Sequence, residues 1–177
     1  SLSKYTEDMM GIMADVVLNP AFNEEEFAKI KTQMLSGIES SKDDPNSINS
    51  QVYNALAYGK DNAFGEFITE ETVNNASVED CKALYNSYWK PNISYIAIVG
   101  DIKAKKAKKM VEQYLGDWAQ GEVTKYQMET PALPAETNVA LVNRDASVQS
   151  VVKIGNRIVL KHGDPDIAPL SVANQIL

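Results

Sequence analysis

The chain has 177 residues, 44% of them hydrophobic, and a formal net charge of -7. That composition belongs to a globular protein rather than a disordered one, and the acidic balance argues against a nucleic-acid or anionic-membrane surface, since both need clustered positive charge. One cysteine, Cys81, excludes an internal disulfide framework, one histidine, His162, is too few for most zinc or acid-base sites, and no run approaches the ~20 apolar residues of a membrane span. The chain begins SLSKYTED, with no signal-like segment, and reads as a piece of something longer.

Residues Ser3 to Val17 carry Tyr5, Met9, Ile12, Met13 and Val16 at helical spacing, and Asn19-Pro20 halts the run. The methionines here read as core filler rather than a soft-metal box. From Phe22 to Ser41 the start signals are strongest: Asn23 as N-cap, Glu24, Glu25 and Glu26 on the positive end of the dipole, and Phe22 with Phe27 at staple positions. Phe27, Ile30, Met34, Leu35 and Ile38 form its apolar face, interrupted by Gly37, which costs roughly 0.5–1 kcal/mol relative to alanine. Asp43-Asp44-Pro45 opens a third helix with Ile48, Val52, Ala55 and Leu56 on one face, and Gly59 closes it.

After a polar connection from Lys60 to Phe67, Thr69 caps a short helix, with Glu70 and Glu71 in its first turn and Ile68 and Val73 at staple positions. Ser77 with Asp80 starts the next, whose expected inward face is Cys81, Leu84, Tyr85 and Tyr88, making Cys81 a small core residue rather than a nucleophile. Lys90-Pro91-Asn92 is a turn, and Ile93 to Val99 predicts a strand buried on both faces. A helix follows from Lys103 to Leu115, with Ala107, Met110, Val111 and Tyr114 inward and a lysine-rich outer face. The spacing of a phosphate loop is absent from it. Asp117 to Glu136 has the look of a linker. Val139 to Val142 and Ser150 to Leu160 predict two strands joined by Asn143 to Gln149, and Asp164-Pro165 opens a last helix running to Leu177.

The ordered segments DVVLNPAFNEEEFAKIKTQ, SKDDPNSINSQVYNALAYG, TEETVNNASVEDCKALYNSYWKPN, ISYIAIVGDI and YLGDWAQG resemble the M16 metallopeptidase family, which includes pitrilysin, insulin-degrading enzyme and the mitochondrial processing peptidases. The resemblance spans Ser3 to Gly121, and RDASVQSVVKIGN is similar to the opening of a further such unit. It implies an α+β fold in which a sheet is covered by helices: residues 1–120 as the latter part of one unit, truncated on its N-terminal side, 121–136 as linker, and 137–177 as the first part of the next.

Members of that family hold zinc with a His-x-x-Glu-His helix, absent here, and a glutamate from a later helix that corresponds to Phe27 to Ile38. The resemblance places that third ligand at Gly37, which has no donor atom. Glu39 lies two residues on, a rotation of about 200°, and so falls toward solvent rather than toward the ligand position. Asn62-Ala63-Phe64-Gly65 stands where relatives often have His-Pro-Tyr-Gly, and His162 lies in a turn, where a surface role is the default.

The expectation is therefore a part of the non-catalytic half of a zinc peptidase. No catalytic, cofactor-binding or metal-ligating residue is assigned in this chain, and zinc is expected in the catalytic half of the parent. The implied partners are another M16 half or subunit and peptide substrates, with no nucleic acid and no membrane span. The parent would be a zinc metalloendopeptidase, the chain by itself inactive, and the compartment suggested by resemblance the bacterial cell envelope. A non-catalytic scaffold or assembly subunit is the alternative.

Overall fold

Helix boundaries follow the local signals closely. The computed structural model describes residues 2–127, 129, 131–145 and 147–176. Among them lie seven α-helices: α1 (Thr6–Leu18), α2 (Glu24–Lys42), α3 (Pro45–Tyr58), α4 (Glu70–Asn75), α5 (Val78–Tyr88), α6 (Ala104–Leu115) and α7 (Ile167–Ile176), with 3-10 turns at Ser3–Tyr5 and Pro91–Ile93. Asn23 Oδ1 accepts from the N–H groups of Glu25 (2.8 Å) and Glu26 (3.0 Å), the Asp44 carboxylate accepts from Ser47 N–H (2.8 Å), and Pro45 takes the first turn of α3. Reciprocal capping boxes start α4, between Thr69 and Thr72, and α5, between Ser77 and Asp80. Leu177, the expected end of the last helix, and Ala146 within the expected joining segment lie outside the described residues.

The α+β expectation is corrected: no strand occurs among the described residues, and the architecture is all-helical. Ile93 to Val99, Val139 to Val142 and Ser150 to Leu160 are β-branched and apolar, but a strand exists only where a neighbouring segment completes its ladder of backbone hydrogen bonds. No described segment does so. Ile93 to Val99 is consequently exposed rather than buried on both faces, with Tyr95 wholly accessible.

The chain divides into two compact units, Ser1–Gly37 with Thr69–Gln127 and Ile38–Ile68 with Met128–Leu177. The core of the first is the packing of α1 against α6, where Met10, Ala14, Met110 and Leu115 are buried and Val17, Leu18, Ile102, Val111 and Tyr114 close around them. The α6 face is the expected one. The α1 face is not: Tyr5, Met9, Ile12, Met13 and Val16 are exposed, and the buried stripe is rotated onto Met10, Ala14, Val17 and Leu18. Because α1 is apolar nearly all round, its spacing fits either stripe, and only the arrival of α6 selects one.

In the same unit, Lys31 Nζ donates to the carbonyls of Asn74 (2.7 Å) and Ala76 (3.2 Å), placing a cation at the negative end of α4. Phe22 adopts φ 45°, a left-handed conformation uncommon for a bulky residue, and its ring meets Tyr85 edge-on at 5.6 Å. Cys81, expected in the core, is exposed, as are Leu84 and Tyr88, while Val78 is the buried residue of α5.

The second unit buries no apolar side chain among its described residues. Its α3 ends at Gly59, whose φ of 84° suits glycine, and the chain then folds back so tightly that a Cβ on Gly65 would lie 2.0 Å from the Gly59 carbonyl oxygen.

Candidate functional site

On α2, Glu25 and Glu26 each approach Lys29 Nζ at 2.8 Å, and these carboxylates, Glu25 foremost, raise the lysine's affinity for its proton. Further along, Gly37 is exposed, and a Cβ built on it would meet nothing within 4 Å. The glycine is therefore not demanded by close packing within the chain. Glu39 is exposed and engaged with Lys42 at 2.8 Å, an i,i+3 pair on the helix surface. His162 is exposed in the turn before α7, where Asp164 N–H donates to the Lys161 carbonyl at 3.0 Å.

Zinc needs three or four N, S or O donors converging at roughly 2 Å, and among the described residues no group of three histidine, cysteine, aspartate or glutamate side chains is placed to hold an ion. Gly37 offers no side-chain donor, and Glu39 already faces a lysine. Cys81 is exposed on α5 with no ligating cluster around it.

The loop at Asn62 to Gly65 is polar in a structural sense. Asn62 Oδ1 accepts from Phe64 N–H (3.0 Å), its Nδ2 donates to the Glu129 carbonyl (3.2 Å), and its own carbonyl accepts from Gly65 N–H (2.8 Å). The side chain thus closes an Asx turn and reaches the second segment of its unit. The sequence marked Lys60 to Phe67 only as a polar connection, and nothing in it announced the Glu129 contact.

In the first unit, Asn92 Nδ2 donates to the Gly121 carbonyl (3.1 Å) while its Oδ1 accepts from Gly121 N–H (3.2 Å). The amide imitates one rung of backbone pairing and leaves beside it an open groove of about 570 Å³, lined by Asn92, Ile93 and residues 121–125. Asn92 carried only a turn signal in the sequence. A Cβ on Gly121 would come within 2.9 Å of Lys90 Cε, the flexible end of a side chain that can move aside, so the approach does not demand glycine.

Residues 75–177 match the family described as Peptidase M16 inactive domain, and the chain belongs to that family. It is also similar to two proteins named uncharacterized zinc protease: one from Rickettsia felis, 24% identical over 127 residues, and one from Rickettsia bellii, 27% identical over 128 residues. Each alignment covers 71% of this chain and 31% of the relative, so the chain spans about a third of the length of these curated relatives. Among solved structures, the crystal structure of a peptidase M16 inactive domain from Pseudomonas fluorescens superposes with a TM-score of 0.65 at 25% identity, covering 76% of this chain and 32% of that one. No helix among the described residues is long and apolar enough to cross a membrane.

Proposed function

We propose that the chain forms part of the non-catalytic half of an M16-type zinc peptidase, contributing chamber wall and peptide contacts for proteolysis carried out elsewhere in the parent. The observation that carries this reading is the match of residues 75–177 to the inactive domain. Gly37 supports it from the chemistry of α2: the register that would hold the third ligand has no donor, and open space surrounds it. Residues 1–120 and 137–177 then belong to successive M16-like units, with 121–136 between them. Zinc belongs to the catalytic half, and the partners are that half, or a separate subunit carrying it, together with extended peptides.

The test is to incubate the chain with flexible peptides in the presence of zinc and to follow both binding and cleavage. Weak, saturable binding without chelator-sensitive cleavage is the expected result. Cleavage abolished by a chelator contradicts the proposal.

A further inference from the structure

Every observation behind this inference lies within the second unit. In its segment 129–160, the described side chains are exposed except those of Pro131, Arg157 and Leu160, so a charged residue is among the few that are even partly covered. Arg157 Nη2 donates to the carbonyls of Pro131 (2.8 Å) and Ala132, and its guanidinium lies over the Tyr58 ring at 5.4 Å. Other contacts between this segment and α3 with its flanks repeat the pattern. Lys153 Nζ lies 4.6 Å above the Tyr53 ring, Arg144 binds the Asp43 carbonyl and carboxylate, and Asn49 Nδ2 donates to the Val151 carbonyl at 3.0 Å.

We infer that the described residues of segment 129–157 form a releasable strap over α3, with Arg157 as its clasp, the guanidinium joining the Pro131 and Ala132 carbonyls to the Tyr58 ring. A planar fork that can stack and donate at once is a property of arginine that lysine lacks. Two features keep closure shallow. Among its described residues the strap brings no buried apolar side chain to the contact, so hydrophobic burial does not lock it. Closure also leaves Arg157 Nε buried without an acceptor, which offsets part of what the other contacts gain and is relieved when the strap lifts into water. Lifting uncovers Tyr53 and Tyr58, while the α1–α6 core of the other unit provides an internal reference for stability.

Hydrogen exchange on the intact chain, read by mass spectrometry, tests this. Peptides covering 45–58 report on α3, and those covering 6–18 and 104–115 serve as reference. Arg157→Gln and Arg157→Lys are expected to accelerate exchange in 45–58 roughly tenfold, with the reference peptides unchanged. Tyr58→Leu approaches the clasp from the α3 side and should accelerate it severalfold, with the double variant Arg157→Gln/Tyr58→Leu no faster than Arg157→Gln alone. Unchanged exchange in 45–58 in the single variants, additive effects in the double variant, or equal acceleration of the reference peptides would overturn the strap.

Discussion

The Tyr85 hydroxyl donates to the Val17 carbonyl across 2.7 Å and lies 3.3 Å from that of Leu18, so a side chain of α5 closes the C-terminal end of α1 from 68 residues further along the chain. Those carbonyls belong to the last turn of α1, where no intrahelical donor remains for them. The same ring is held edge-on by Phe22 and stacked by Trp89 at 6.0 Å, which fixes the hydroxyl where the carbonyls need it. Tyr85→Phe keeps the ring contacts and removes the hydrogen bond. The expected loss is about 1 kcal/mol, seen as a lower urea midpoint with an unchanged slope.

Two glycines should respond in opposite directions. Gly37→Ala enters open space within a helix and should stabilise the chain by roughly 0.5–1 kcal/mol. Gly65→Ala drives a Cβ toward the Gly59 carbonyl oxygen and should destabilise the second unit by roughly 1–3 kcal/mol. Thermal unfolding of the two variants beside the wild type checks both signs. A destabilised Gly37→Ala would mean that α2 needs its glycine for a reason other than space.

The helix caps were readable in the sequence because each depends on residues within a few positions. Asn23, Asp44, Thr69 and Ser77 all accept the hydrogen bonds their positions suggested. The inward face of α6 was readable too, since its lysines leave one side for the core. The face of α1 was not, its apolar residues surrounding the helix, and Ile93 to Val99 illustrates the same limit for strands. Its composition favours an extended chain, but a ladder depends on a second segment that local pattern cannot supply. At the candidate site, the resemblance singled out Gly37, and the structure shows open space around it. The Arg157 clasp on Tyr58 joins residues far apart in sequence with no pattern to announce it.

Two caps should make stability depend on pH. Hydrogen bonds from Ser47, its hydroxyl first and its backbone N–H second, hold the Asp44 carboxyl below its ordinary value, and Ser77 does the same for Asp80 in that order. A depressed folded value means that the stabilisation is present above the unfolded value, about 4, and is lost as the pH falls through the lowered one. Unfolding followed by circular dichroism across that acidic range should show the loss. Asp80→Asn keeps an acceptor for Ser77 N–H and should flatten the dependence. An equally steep dependence in Asp44→Asn/Asp80→Asn would assign it to other carboxylates.

The proposed function has this M16 inactive-domain chain leave the metal to a catalytic half outside these residues. The most direct measurement is the zinc content of the purified chain after exhaustive dialysis. A content far below one zinc per chain is predicted, because on the proposed reading the ligand position of α2 is held by Gly37, which has no side-chain donor, while Glu39 is paired with Lys42. About one tightly held zinc per chain would contradict the account.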